Sequence, residues 1–135
     1  MSERHGHCLC GQTSFTLTED NPTVALCHCT HCQKVTGSAY SLNVLAPREK
    51  FTVSGPLKKF DDVGDSGKGI TRWFCSECGA PIWSDAEGMP GVAIVKGGSF
   101  DDTSWIKPTL EIYCGSRQAW TPLQEGLAAF PKMPG

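Results

Sequence analysis

Cys75-Ser76-Glu77-Cys78-Gly79 is the strongest single motif in this chain. A Cys-x-x-Cys followed by glycine fits a tight knuckle in which backbone amides point at the two sulfurs and Gly79 takes up positive φ. Such a knuckle supplies two of the four tetrahedral positions around zinc, so other ligands must arrive from elsewhere in the chain. Working outward, five more cysteines stand in two tight clusters, Cys8-x-Cys10 and Cys27-x-Cys29-x-x-Cys32, and only Cys114 stands apart. Zinc lies about 2.3 Å from each cysteine sulfur, and short-range pairs converge on one point with little extra ordering of the chain. Four clustered sulfurs close a structural site, whereas three leave a second site with an open position.

The rest of the composition narrows the setting. At 135 residues the chain fits one domain, spanning 1–135, with enough length for a real core. Twelve basic against 14 acidic residues give a formal charge of −2, so no global field draws the protein to phosphate backbones or acidic membranes. Neither nucleic acid nor membrane is expected as a partner. Met1-Ser2-Glu3-Arg4-His5-Gly6-His7 carries charges and histidines where a signal peptide needs an apolar stretch, and the longest uncharged run, Val35 to Pro47, is too short and polar to span a bilayer. The expectation is a cytoplasmic protein, in which clustered cysteines serve as metal ligands or catalytic groups more often than as disulfides.

Apolar and polar residues alternate at Thr13 to Leu17, Ser41 to Leu45, Lys50 to Ser54, Ile70 to Phe74, Val92 to Lys96 and Thr109 to Cys114, which predicts six short strands. Asn21-Pro22, Ala46-Pro47, Ser54-Gly55-Pro56, Met89-Pro90-Gly91 and Gly97-Gly98 punctuate the chain as antiparallel β structure requires. With 15 glycines and 9 prolines, helices are limited to short turns, at His31 to Val35 and Pro122 to Leu127. Asp61 to Gly69 lacks apolar anchors and reads as a loop. The C-terminal Pro131-Lys132-Met133-Pro134-Gly135 reads as a packed or frayed tail.

Spacing leaves the pairing of the clusters open. The simplest ribbon joins Cys29-x-x-Cys32 to Cys75-x-x-Cys78, but 42 residues separate them, above the roughly 15–20 of compact paired sites. The cost of closing a longer loop rises slowly, so length does not decide. The alternative joins Cys8 and Cys10 to Cys75 and Cys78, leaving Cys27, Cys29 and Cys32 together. In that arrangement Cys8 and Cys10 on an extended segment project to one side, and Leu9 between them faces the core.

Gly6-x-Cys8-x-Cys10-Gly11, Cys27-His28-Cys29-x-x-Cys32, Arg72-x-Phe74-Cys75-x-x-Cys78-Gly79, Pro108 and Ser116-Arg117-x-x-Trp120 follow one another in this chain. Together they resemble the glutathione-dependent formaldehyde-activating enzyme family, which includes centromere protein V. The resemblance runs from Gly6 to about Pro131. It implies a mainly β fold, a zinc-stapled β-tent of short antiparallel sheets with few short helical turns. It also implies the second partition: structural zinc on Cys8, Cys10, Cys75 and Cys78, and a reactive zinc, more open to loss, on Cys27, Cys29 and Cys32. The implied activity is that of a carbon-sulfur lyase joining or cleaving a glutathione-like thiol and a small aldehyde such as formaldehyde. One departure stands out: where many members carry a His-Ile step after the late proline, this chain has Glu111-Ile112.

Three thiolates on a dication leave a net −1, a weak Lewis acid toward carbonyls that suits delivery of a bound thiolate better than activation of water. Cys27, Cys29 and Cys32 are therefore the expected catalytic residues. His28 and His31 flank them and could ligate, relay a proton or orient sulfurs; His5 and His7 read as exposed residues of a flexible terminus. Cys114 reads as a small buried core residue, with a fourth-ligand role as the alternative. Arg72 and Arg117 could grip a ligand carboxylate or form surface ion pairs. Trp73, Trp83, Trp105 and Trp120 read as core or interface aromatics, and Lys58-Lys59 as a solvated pair. Two other functions compete with the enzyme: a non-catalytic zinc-binding interaction module, and a cytosolic thiol or redox sensor that releases zinc from the middle cluster on oxidation.

Overall fold

The computed structural model describes residues 3–134, and the expectations for Met1, Ser2 and Gly135 lie outside them. Strands β1 (Arg4–His7), β2 (Ser14–Leu17) and β5 (Phe51–Ser54) form a three-stranded antiparallel sheet in the order β1-β2-β5. A second sheet of eight strands contains β3 (Thr23–Cys27), β4 (Ser41–Pro47), β6 (Leu57–Val63), β7 (Gly69–Cys75), β8 (Pro81–Ala86), β9 (Val92–Lys96), β10 (Leu110–Ile112) and β11 (Ala128–Ala129). Its order is β11-β10-β3-β4-β9-β8-β7-β6. The fold is mainly β, as expected, and all but two strand pairs are antiparallel. The exceptions are the parallel pairings of β10 with β3 and with β11, which the expectation of antiparallel sheets did not include. They arise because the C-terminal segment returns across the sheet and docks on its far edge.

The core lies where the two sheets meet. Phe15, Leu17 and Phe51 point inward from the small sheet and are almost fully buried; Val44, Ala46, Ile82, Trp83, Ala93 and Val95 meet them from the large one. Phe15 packs on Phe51 and Phe100 with ring centroids 5.6 and 5.0 Å apart, and Phe51 lies 5.2 Å from Trp83. Each such aromatic contributes about 1.5–3 kcal/mol by leaving water. Strand β2 alternates because it shows one face to this core.

All six predicted strands are present, but several expectations need correcting. The loop expected from Asp61 to Gly69 is a hairpin: β6 pairs with β7 out to Val63 opposite Gly69, and only residues 64–68 turn. Asp62 is held in that ladder by Arg72, whose Nε donates to its carboxylate at 3.0 Å, an ion pair that hydrophobic alternation cannot signal. The helical turn expected at His31 to Val35 is α1 (Thr30–Thr36), capped by Gly37 in the left-handed region. The one expected at Pro122 to Leu127 is absent; Gly126, at φ 82°, turns that segment into β11 instead. His5 and His7 are exposed but belong to β1, with His7 Nδ1 2.8 Å from Asp101, so the start of the described chain is anchored. The tail is packed, since the amides of Tyr113, Cys114 and Gly115 donate to Lys132, Phe130 and Pro131. Trp83 is buried in the core and Trp73 stacks on it at 6.0 Å, whereas Trp120 is 70 % exposed. Among the described residues no helix is long and apolar enough to cross a membrane.

Candidate functional site

Two groups of sulfurs form, and their membership follows the second partition. The Sγ atoms of Cys8, Cys10, Cys75 and Cys78 all lie within 4.8 Å of one another, and so do those of Cys27, Cys29 and Cys32. Sulfurs bound tetrahedrally at about 2.3 Å would stand about 3.8 Å apart; Cys8 and Cys10 stand at 3.5 Å, Cys10 and Cys75 at 3.8 Å. The four-sulfur group bridges the two sheets, with Cys8 and Cys10 just after β1 and Cys75 and Cys78 in the β7–β8 knuckle. Gly79, at φ 78°, closes that knuckle as expected, and its amide donates to Cys75 O at 2.8 Å. The Cys8-Leu9-Cys10 segment is not extended. The Gly11 amide bonds Cys8 O at 3.1 Å in a turn, so Leu9 is 88 % exposed rather than facing the core. Burial resists ionisation of Cys8, but the Thr13 amide and the neighbouring sulfurs bring it down to about 6.

The three-sulfur group is built by the end of β3 and the start of α1. Cys27 closes the strand, Cys29 caps the helix by accepting from the Cys32 amide at 3.2 Å, and Cys32 lies buried in the first turn. Hydrogen bonds from Cys27 and Cys32 hold the Cys29 thiol far below its ordinary range, and the same contacts push Cys27 far above. The trio thus keeps one thiolate cradled by two thiols, a donor set that suits a soft dication. No fourth sulfur, imidazole or carboxylate joins the group among the described residues.

The two flanking histidines have different roles. His28 is 1 % exposed and lies against Tyr40; its Nε2 is 2.9 Å from Glu111 Oε1, which also accepts from Arg117 at 2.7 Å. Its Nδ1 is buried without a partner among the described residues. His31 is half-exposed, and its Nδ1 lies 2.8 Å from Asp62, the carboxylate that also receives Arg72. Neither histidine ligates with the trio. Arg72 and Arg117 do form ion pairs, but both are largely buried and so are not the surface pairs considered from sequence. Cys114 is half-buried in a short turn after β10 and gathers with His28 and Glu111, so it belongs neither to the core nor to the trio.

Other residues near the trio carried little signal in the sequence. Ser41 pairs across the sheet with Cys27, and Asn43 pairs with Lys96. Lys96 is only 8 % exposed and donates to Ser41 Oγ at 2.6 Å. Burial pushes its amine below the ordinary lysine range, outweighing the pull of the trio's negative charge. The only hint of this was a lysine closing an apolar strand next to two glycines. Tyr113 sits in the left-handed region at φ 55°, a conformation that costs a non-glycine residue about 1 kcal/mol or more. It lines a cleft of about 380 Å³ with Thr30, His31, Asp65, Ser116 and Lys132, among others. Thr30 and His31 directly follow Cys29, so the cleft opens beside the trio. Burial raises the Tyr113 phenol, and the negative charges of Asp65 and of the trio raise it further.

A solved crystal structure of a Rhodobacter sphaeroides protein shares the fold, with a TM-score of 0.60 and 17 % identity over 77 % of this chain and 91 % of that one. An Aspergillus flavus protein, provisionally named a glutathione-dependent formaldehyde-activating enzyme, is 26 % identical over 76 % of this chain and 56 % of its own length. A Podospora anserina protein of the same provisional name is 26 % identical over 88 % of this chain and 59 % of its own. The chain therefore spans little more than half the length of these relatives. The family model described as glutathione-dependent formaldehyde-activating enzyme matches residues 3–116, a span that takes in both sulfur groups, and the chain belongs to that family.

Proposed function

We propose that this protein is a zinc-dependent carbon-sulfur lyase that joins, or in reverse separates, a glutathione-like thiol and a small aldehyde. The observation that carries this reading is the incomplete trio: Cys27, Cys29 and Cys32 converge, and no fourth protein ligand reaches them among the described residues. In the same reading Cys8, Cys10, Cys75 and Cys78 hold a structural zinc. Zinc on the trio would supply an open position at which an incoming thiol loses its proton. The chain's own residues would do the rest. The Tyr113 cleft would offer His31, Ser116 and the exposed Asp65–Lys132 pair, separated by 3.1 Å, to the charged ends of a tripeptide. The Asp62 carboxylate fixes His31 at the cleft mouth, where its other ring nitrogen can meet the ligand. Buried His28, tied to Glu111 and Arg117, holds the β3–α1 corner that sets the spacing of Cys27 and Cys29.

The names of the relatives point to glutathione and formaldehyde as the substrates. The test is direct: mix zinc-loaded protein with glutathione and formaldehyde and follow S-hydroxymethyl adduct formation by exchange NMR. Acceleration that disappears in Cys29→Ser is the expected result. A rate equal to that of buffer, with zinc present on the trio, would reject the activity.

A further inference from the structure

A second cleft, of about 290 Å³, is lined by Val35, Phe60, Arg72, Trp73, Trp83 and Lys96, among others. Two of its lining residues are neighbours of the trio. Val35 follows Cys32 by one helical turn, and Lys96 donates to Ser41, the residue paired with Cys27. The walls are mostly apolar, and the polar groups they carry are chiefly donors. Lys96 gives hydrogen bonds to two neutral acceptors, Ser41 and Asn43, and pairs with no carboxylate among them. Arg72 bonds Asp62 through Nε alone. Lys96 thus keeps its third N–H, and Arg72 its terminal nitrogens, for a ligand that brings an acceptor.

Charge and size narrow that ligand. With a dication on the three thiolates, that centre and Asp62 together offset Arg72 and Lys96, so the cleft has no surplus positive charge to draw an acid. Its volume equals about ten waters at their share of liquid volume, far more than formaldehyde fills.

We propose that this cleft binds the electrophile of the reaction, an uncharged aldehyde with an apolar body, and that Lys96 donates to its carbonyl oxygen. The inference rests on the thiol–aldehyde reading above and adds the class of the second substrate. The thiol sulfur forms a bond to the carbonyl carbon, and the carbonyl π pair moves onto oxygen, where the Lys96 ammonium meets the growing charge. The proton that the thiol released returns to that oxygen through solvent. Thiol and aldehyde become one hydroxyalkyl thioether, with no oxidant or reductant consumed.

Unreactive probes test it on zinc-loaded protein through tryptophan fluorescence. Benzamide, an uncharged carbonyl on an apolar ring, is expected to quench saturably, and acetamide to bind at least about tenfold more weakly for want of the ring. Benzoate is expected to bind no tighter than benzamide. Lys96→Met is expected to weaken benzamide by about tenfold or more, the worth of a hydrogen bond to a charged donor, while leaving toluene binding unchanged. Equal loss of toluene and benzamide would make Lys96 merely structural and overturn the proposal, as would tighter binding of benzoate. Should Lys96→Met fail to fold, Phe60→Ala decides: Phe60 is 61 % exposed, so its loss spares the core, and unchanged benzamide binding would overturn the cleft. Cys29→Ser separates the two readings, because benzamide binding should survive there. Benzamide binding without any accelerated thiol addition rejects the lyase alone, and accelerated formaldehyde addition without benzamide binding rejects the cleft alone.

Discussion

The two sulfur groups of this protein use the same ligand type in opposite structural settings. Cys8 and Cys10 follow a strand of the small sheet and Cys75 and Cys78 belong to a hairpin of the large one, so that group ties the two layers together. Cys27, Cys29 and Cys32 come from a single strand-to-helix corner within six residues of sequence, so they bind nothing together that the backbone has not already joined. A metal held across layers contributes to folding; a metal held by one corner can leave or change partners while the layers stay packed. On the proposed reading, position in the fold, more than the count of sulfurs, separates staple from reactive centre.

The largest effect should come from breaking each group in turn. Cys78→Ser removes a ligand from the bridge and should unfold the domain, since structural zinc is worth on the order of 10 kcal/mol. Cys29→Ser should lose one zinc and keep a cooperative melt. Metal analysis with thermal unfolding checks both, and equal collapse would erase the distinction. Next, Glu111→Gln leaves Arg117 without its buried carboxylate and should cost about 3 kcal/mol, with the added mark of weaker thiol binding at the trio; urea unfolding and a thiol titration read the two. Gly6→Ala acts on the other group alone. Its new Cβ would overlap the Phe15 ring and crowd the Ser99 carbonyl, so about 2 kcal/mol should be lost with thiol affinity unchanged.

The smallest effect is electrostatic and belongs to the three-sulfur side. Burial raises Asp62, but hydrogen bonds from His31 and Arg72 outweigh it and hold the carboxyl below its ordinary 3.8. The folded-state pKa is thus lower than the unfolded one. Asp62 therefore stabilises the protein above the unfolded value, and the contribution fades as pH falls through the folded value. Wild type should exceed Asp62→Asn by about 1 kcal/mol at neutral pH, given its largely buried pair, and the gap should close below about pH 4. A gap independent of pH would assign the effect to packing.

Much of the fold was legible in the cysteine clusters and in the alternation of β2, β4, β5, β7, β9 and β10. Strands β1, β3, β6, β8 and β11 escaped notice for identifiable reasons. In β3, Val24 to Cys27 are buried in succession and leave no alternation, while β6 exposes five of its seven residues and is held by its partner strand. The seven ligand candidates were legible because metal geometry forces short spacing. Lys96, Ser41, Asp62 and Tyr113 were not, because a buried amine, a cross-strand hydroxyl and a left-handed tyrosine acquire meaning only from residues distant in sequence. Leu9 was misread for the same reason: an extended segment and a turn both bring Cys8 and Cys10 together, and only the Gly11 turn bond distinguishes them.

Cobalt in place of zinc tests the division between the two groups most directly, because its visible spectrum reports the ligands around each ion. Titration of dicobalt protein with glutathione should shift one set of bands, saturably and at one thiol per chain, toward those of a four-sulfur site, and the same titration of Cys29→Ser should do nothing. A spectrum indifferent to thiol in the fully loaded protein would contradict an open position on Cys27, Cys29 and Cys32 and leave both groups as staples.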